Sequence, residues 1–135
     1  MRRVSLVLLL AACGSPTEPN HPRLKFENGV VFGIPTLPIT AVGGSGSILV
    51  SGVIQTATGG FSLFADLHAG AGNALTLQVD VYLTGPGLNF LTQNFYRAEL
   101  QSLLPGDYDL SVIHVLHDPS PLRRERVYHQ TVRVH

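Results

Sequence analysis

Apolar and polar side chains alternate strictly over residues 75–84, and this stretch constrains the fold more than any other part of the chain. The apolar positions are Leu75, Leu77, Val79, Val81 and Leu83, and the intervening positions are Thr76, Gln78, Asp80, Tyr82 and Thr84. Successive side chains of a β-strand point to opposite faces of its sheet, so a period of two predicts a strand with one buried face.

Shorter patterns of the same period predict further strands. They cover residues 48–54, 61–68, 96–101, 107–117 and 127–134, with residues 23–32 as a candidate first strand at a sheet edge. Ser51-Gly52 predicts a bulge or a close backbone approach, and Asn28-Gly29 favours a turn inside the first strand. We therefore predict an all-β fold, an antiparallel β-sandwich of about seven strands.

A helix over residues 96–104 is the main local alternative. Ala98, Glu99, Leu100 and Gln101 are all good helix formers. A helix there would remove one strand from the predicted sandwich.

Composition excludes several classes of protein. Hydrophobic residues make up 44% and charged residues 13% of the 135-residue chain, which indicates a folded domain rather than a disordered one. Without Arg2 and Arg3, seven basic and nine acidic side chains remain, so the chain lacks the concentrated basic face that nucleic acids require. Cys13 is the single cysteine, so no intramolecular disulfide can form and the core must hold the fold.

The N-terminal residues have the organisation of an export signal. Arg2 and Arg3 precede an apolar run over residues 4–10 that is too short to span a bilayer. The following sequence, Leu10-Ala11-Ala12-Cys13, closely resembles the lipobox of bacterial lipoproteins. The resemblance implies that residues 1–12 are removed as a signal peptide, that the Cys13 thiol receives a diacylglyceryl group, and that the new amino terminus is acylated. An ordinary secreted protein with an incidental cysteine is the alternative.

Residues 13–22 are predicted to connect the lipid to the folded domain. Three prolines stand among residues 14–22, and no other apolar side chain accompanies them, so we expect a short extended tether followed by one domain over residues 23–135. In the lipoprotein family, an aspartate after the modified cysteine favours retention in the inner membrane. Gly14 in that position therefore implies the outer membrane.

Residues 104–110 carry a second resemblance. The sequence Leu104-Pro105-Gly106-Asp107-Tyr108-Asp109-Leu110 is similar to the Pro-Gly-x-Tyr segment of fibronectin type III and related immunoglobulin-like domains. The resemblance implies an immunoglobulin-like sandwich in which Tyr108 begins the penultimate strand and forms a tyrosine corner, with its hydroxyl bonded back to upstream backbone and Pro105-Gly106 as the turn. Carboxypeptidase-regulatory-like and transthyretin-like sandwiches contain the same segment. The alternative for Tyr108 is a half-buried strand tyrosine without that bond.

The histidines and aspartates offer few arrangements that could hold a metal. His114 and His117 lie three residues apart on a predicted strand, which directs them to opposite faces. Asp107 and Asp109 share one face of that strand and Asp118 follows at its end. This acidic group is compatible with a calcium site and, more simply, with a solvated strand face.

Catalytic motifs are also missing from the sequence. Asp66 and Asp80 fall on the polar faces of two predicted neighbouring strands, but no aromatic cleft accompanies them as a glycosidase would need. The chain has no Gly-x-Ser-x-Gly elbow, and the glycine run over residues 43–47 lacks the lysine of a phosphate-binding loop. We expect no catalytic residue, no metal and no cofactor.

Some apolar and basic side chains are candidates for contact with a partner. The apolar ones, all predicted on outward strand faces, are Phe64, Tyr82, Ile113 and Val115. If they cluster, they form an exposed apolar patch of the kind that marks a partner site, whereas the alternative is that they face a layer formed by the N-terminal segment. The basic ones, Arg123, Arg124 and Arg126, are expected in a solvated loop, with contact to anionic headgroups as the alternative.

These features together lead us to expect a cell-envelope lipoprotein whose small, non-catalytic β-sandwich binds an envelope protein or a glycan. A structural accessory subunit of an envelope assembly is the alternative, and it would use the same apolar patch. A metal-dependent or hydrolytic enzyme is favoured least.

Overall fold

Eight β-strands make up the part of the chain that the computed structural model describes, which is residues 21–31, 37–85, 91–117 and 122–135. The strands are β1 (Arg23–Val31), β2 (Thr40–Gly43), β3 (Ile48–Thr56), β4 (Phe61–Ala69), β5 (Ala74–Leu83), β6 (Thr92–Gln101), β7 (Gly106–Leu116) and β8 (Arg123–Val134). The predicted signal peptide, Cys13 and nearly all of the predicted tether lie outside the described residues.

Two four-stranded sheets pack as a sandwich. Sheet A has the strand order β1-β6-β3-β2, and sheet B has the order β4-β5-β7-β8. Four apolar side chains of the alternating stretch on β5 are buried between the sheets, namely Leu75, Leu77, Val79 and Val81. The prediction of an all-β sandwich is therefore confirmed, and β1 forms an edge of sheet A.

One pair of strands contradicts the predicted antiparallel arrangement. β5 and β7 run parallel, whereas every other pair of strands in the two sheets is antiparallel. The second strand of the β4–β5 hairpin, rather than the first, lies beside β7. A parallel pair needs a crossover connection, and β6 in sheet A provides that crossover.

The predicted count of about seven strands misses β2. This strand has only four residues and pairs with β3 at the edge of sheet A. Ala41 is its one side chain packed against the core, so the segment is too short to show a period of two. β8 is also longer than predicted: it begins at Arg123, and the three arginines expected in a loop lie on a strand.

Residues 96–101 belong to a strand, so the helical alternative is wrong. Tyr96, Ala98 and Leu100 are all buried, while the residues between them are not. β6 lies between β1 and β3 in the interior of sheet A. Burial of alternate side chains in this position outweighs the helix propensity of the segment.

Two glycines allow aromatic rings to lie flat against the strands of sheet A. A Cβ atom on Gly52 would lie 2.5 Å from the Tyr96 hydroxyl oxygen, and one on Gly29 would lie 2.7 Å from Cε1 of Phe95. The pairing of β3 with β6 is continuous through Gly52, so this glycine marks a close approach and not a bulge. The expected turn at Asn28-Gly29 is wrong, because β1 runs through both residues.

A buried hydrogen bond joins the two sheets. The Tyr96 hydroxyl on β6 and Nε2 of His114 on β7 are 2.8 Å apart, and both side chains are buried. Burial raises the pKa of Tyr96 above its usual value and lowers the pKa of His114 to about 4. Both partners are therefore neutral near pH 7, which avoids the cost of a charge in the core.

Tyr108 lies at the start of β7 and bonds back to the turn before it. Its hydroxyl donates to the carbonyl oxygen of Leu104 at a distance of 2.7 Å. Gly106, between these two residues, has a φ of 152° that L side chains rarely adopt. The bond has the form of a tyrosine corner, in which a strand tyrosine closes onto the preceding turn.

The start of the described chain and the start of β7 lie at the same end of the sandwich. A depression at this end is lined by His21 and Pro22 together with Tyr108 and the β4–β5 turn. β5 and β7 both begin here, because they are parallel and Ala74 lies opposite Asp109. The ends of β5 and β7, near Tyr82 and Leu116, therefore lie at the opposite end.

Replacement Tyr108→Phe should lower the free energy of unfolding by about 1 kcal/mol or more, because it removes the bond to Leu104. The measurement is urea unfolding of both proteins. Tyr128→Phe is the matched control, since its hydroxyl contacts only the exposed side chain of Gln130 at 3.5 Å. Equal stability of Tyr108→Phe and the wild type would contradict a structural role for this hydroxyl.

The stability of the fold should fall as the pH is lowered from about 7.5 to about 5. In the unfolded chain His114 takes up a proton near pH 6.5, whereas in the folded protein its lowered pKa keeps it neutral until about pH 4. The unfolded state binds more protons in this range, so we expect a loss of about 2 kcal/mol from this residue. NMR titration of the His114 ring checks the pKa, with exposed His129 as the comparison; a His114 pKa near 6.5 would contradict the prediction.

Candidate binding surfaces

Three aromatic side chains from different strands meet on the outward face of sheet B. Phe64 on β4 and Tyr82 on β5 are in edge-to-face contact, with ring centroids 5.8 Å apart. The Tyr82 ring stacks on His117, which follows β7, at a centroid distance of 3.9 Å and an angle of 10°. Phe64 remains 57% exposed and Tyr82 38% exposed. We refer to Phe64, Tyr82 and His117 as the aromatic platform.

Hydrogen bonds fix the platform from one side. The buried carboxylate of Asp80 accepts a bond from Nε2 of His117 at 2.8 Å and bonds from Nε2 of Gln78 at 3.2 Å. Nη1 of Arg124 on β8 donates to Oε1 of Gln78 at 3.1 Å. The network holds His117 against Tyr82, so binding on this face would lose little side-chain freedom.

The structure brings together only part of the patch predicted from the sequence. Phe64 and Tyr82 are in contact and exposed, as a partner site requires. Ile113 and Val115 are on the same face, since they lie opposite Gln78 and Asp80 in the register. Ile113 is half-buried, however, and Val115 is only 3% exposed, so Val115 cannot contribute apolar surface to a partner.

His117 is the platform residue that the sequence did not single out as a partner contact, since it was predicted to be a surface or half-buried histidine rather than a metal ligand. The alternation of β7 places His114 towards the core and His117 towards solvent, and the structure has both arrangements. The sequence did indicate that His117 and Tyr82 both lie on the outward faces of their predicted strands. Nothing in the sequence indicated that β5 and β7 are neighbours, so the contact between the two rings could not be inferred.

The aspartates considered as calcium ligands have side-chain partners on β8. Asp107 pairs with Arg133 at 3.3 Å and Asp109 with His129 at 2.7 Å, both across β7 and β8. Asp118 lies outside the described residues. Within the described part of the chain, no group of three or more histidine, cysteine, aspartate and glutamate side chains is placed to hold a metal ion.

Asp66 and Asp80 do not face each other across β4 and β5. Asp66 lies opposite Gln78, and Asp80 lies opposite Phe64. Asp80 is buried in the hydrogen-bond network while Asp66 is exposed. The two carboxylates therefore have separate environments.

The outward face of sheet A carries a second surface that the sequence did not indicate. An open groove of about 620 Å³ is lined by apolar side chains that include Val31, Leu37, Val53 and Phe95. Beside it lies a depression of about 340 Å³ with four charged side chains, Lys25, Glu27, Arg97 and Glu99. In the register Lys25 lies opposite Glu99 and Glu27 opposite Arg97, so the charges alternate in sign and balance.

Comparison of the chain with protein-family models, curated proteins and solved structures gives no match. None of the described segments is a helix long and apolar enough to cross a membrane.

Proposed function

We propose that this chain is a bacterial envelope lipoprotein whose β-sandwich is a non-catalytic binding module displayed at a membrane surface. The observation that carries the binding function is the aromatic platform, which is exposed and is held in place by the Asp80 network. Exposed tyrosine and phenylalanine side chains with a neighbouring arginine are typical of interface centres. The partner is an envelope protein or a glycan that covers Phe64 and Tyr82.

The membrane address in this proposal depends on Leu10-Ala11-Ala12-Cys13. Lipid on Cys13 would hold the protein durably, since each buried methylene contributes about 0.8 kcal/mol and two or three acyl chains act together. Gly14 favours the outer membrane. The tether of residues 13–22 can extend by at most ~3.3 Å per residue, so the domain would stay within roughly 30 Å of the bilayer.

We also propose that the sandwich is of the immunoglobulin-like class. The bond from Tyr108 to Leu104 supports this assignment, as does the position of β7 as the penultimate strand. The parallel pairing of β5 with β7 is a departure from the antiparallel sheets of that class. Sheet A departs as well, since its order β1-β6-β3-β2 places the first strand beside β6 and not beside β3.

Replacement Cys13→Ser should abolish incorporation of a fatty-acid analogue, because it removes the thiol that would be acylated. The measurement is metabolic labelling of cells that express the full chain. Leu122→Ser, far along the chain from the motif, should label like the wild type. Unchanged labelling of Cys13→Ser would overturn the lipid anchor.

Replacement Phe64→Ser should weaken capture of the partner by about tenfold or more, since it removes the most exposed ring of the platform. The intact protein in detergent is tested by pull-down from envelope extracts and on a glycan array. Leu122→Ser is the matched control, because Leu122 and Phe64 are each 57% exposed.

Two outcomes of this experiment have opposite meanings. A stoichiometric partner or a glycan that Leu122→Ser retains and Phe64→Ser loses supports the platform as the binding face. Equal capture by the two variants would contradict it. Urea unfolding should show that both variants fold, with Leu122→Ser within about 0.5 kcal/mol of the wild type and Phe64→Ser less stable by about 1 kcal/mol, because it loses the contact with Tyr82.

A further inference from the structure

Two arginines of β8 share the outward face of sheet B with the aromatic platform. Because β8 begins at Arg123, residues 123–126 are extended and their side chains alternate between two faces. Arg123 and Glu125 are on one face and form an ion pair of 3.7 Å. Arg124 and Arg126 are on the other face, opposite Val115 and Ile113.

The alternation concentrates positive charge on the face that carries the platform. No carboxylate of the described residues forms an ion pair with Arg124 or Arg126. A guanidinium group has five N–H donors, and the bond from Arg124 to Gln78 uses one of them. Among the described residues, no other hydrogen bond or ion pair engages the remaining donors of these two arginines.

The Arg124 side chain connects this charge to the platform. Its guanidinium reaches across β7 to Gln78 on β5, over the row that contains Val115, which agrees with the burial of Val115. Gln78 in turn donates to the carboxylate of Asp80, which accepts a bond from His117. The His117 ring stacks on the Tyr82 ring. Guanidinium, amide and aromatic groups therefore form one continuous surface.

The described carboxylates on this face are placed so that they interfere little with an anion. Asp107 and Asp109, near the start of β7, already pair with Arg133 and His129. Asp80 is buried and accepts bonds from His117 and Gln78. Asp66 is exposed, but it lies on β4, three strands away from Arg126 in the same row. Neighbouring strands are about 4.8 Å apart, so Asp66 and Arg126 are separated by roughly 14 Å at the backbone.

We propose that this face binds a glycan that contains uronic acid residues. A pyranose ring has a flat side of C–H groups that can pack on Phe64 and Tyr82. Its carboxylate matches the planar, two-pronged donor geometry of a guanidinium group, which Arg124 and Arg126 supply. The inference rests on the proposed function, in which sheet B is the binding face, and it specifies the ligand of that face.

The test measures binding of the full-length protein in detergent to polygalacturonate by isothermal titration calorimetry. Carboxyl-reduced polygalacturonate keeps the sugar ring and removes the charge, whereas polyglutamate keeps the charge and removes the ring. We expect each of these two polymers to bind at least about tenfold more weakly than polygalacturonate, because each satisfies only half of the surface.

Variants of the protein separate the two halves of the surface. Arg124→Gln and Phe64→Ser should each weaken binding of polygalacturonate by about tenfold or more. Arg133→Gln is the control for charge, since Arg133 is an exposed arginine of β8 that pairs with Asp107, and Leu122→Ser is the control for exposed apolar surface. Both controls should bind like the wild type.

Several results would overturn the inference. Equal binding of polyglutamate would indicate an unspecific anion patch, and binding of glycerol phosphate, a soluble phospholipid headgroup, in the absence of polygalacturonate binding would indicate a headgroup surface. Loss of binding in Arg133→Gln equal to that in Arg124→Gln would also overturn it. If polygalacturonate does not bind while Phe64→Ser still loses a protein partner from envelope extracts, this inference fails and the proposed binding function stands.

Discussion

The hydrogen bond between Tyr96 and His114 is the contact on which the arrangement of the two sheets depends. It is a polar link between β6 and β7 beside the apolar cluster that fills the space between the sheets, and a buried polar group without a partner would be costly. Two features of the sequence accompany it. Gly52 leaves room for the Tyr96 ring, and the ring of Phe26 stacks beside it at a centroid distance of 5.9 Å. The relative position of the sheets is thus specified by directional contacts as well as by apolar packing.

Much of the fold could be predicted from the period of two. Each long strand has one face in the core, so apolar side chains alternate with polar ones within the segment itself. The stretch over residues 75–84 is the clearest case, and it became β5. β2 could not be predicted, since four residues at an edge bury too little to produce a pattern. The parallel pairing of β5 with β7 is a relation between segments distant in sequence, and local side-chain patterns carry no information about which strands become neighbours.

The proposed binding face was predictable to the same extent and for the same reason. Alternation placed Phe64 and Tyr82 on outward faces, where they are found in contact. The alternation could not show that Val115 is buried or that the His117 ring stacks on Tyr82, since both facts depend on contacts between side chains of different strands. The interpretation of Arg124 differs most between the sequence and the structure. In a loop the Arg124 side chain would have no fixed direction, whereas on β8 it extends across β7 and donates to Gln78.

The parallel course of β5 and β7 also sets the distance between the aromatic platform and the start of the described chain. Both strands begin beside His21 and Pro22 and carry Tyr82 and His117 at their far end, about eight residues along, or roughly 26 Å. In a protein anchored at Cys13, the sandwich would act as a spacer of fixed length between the tether and the aromatic rings. A partner would then be met on the side facing away from the lipid, at a distance from the bilayer that the sandwich and tether set together.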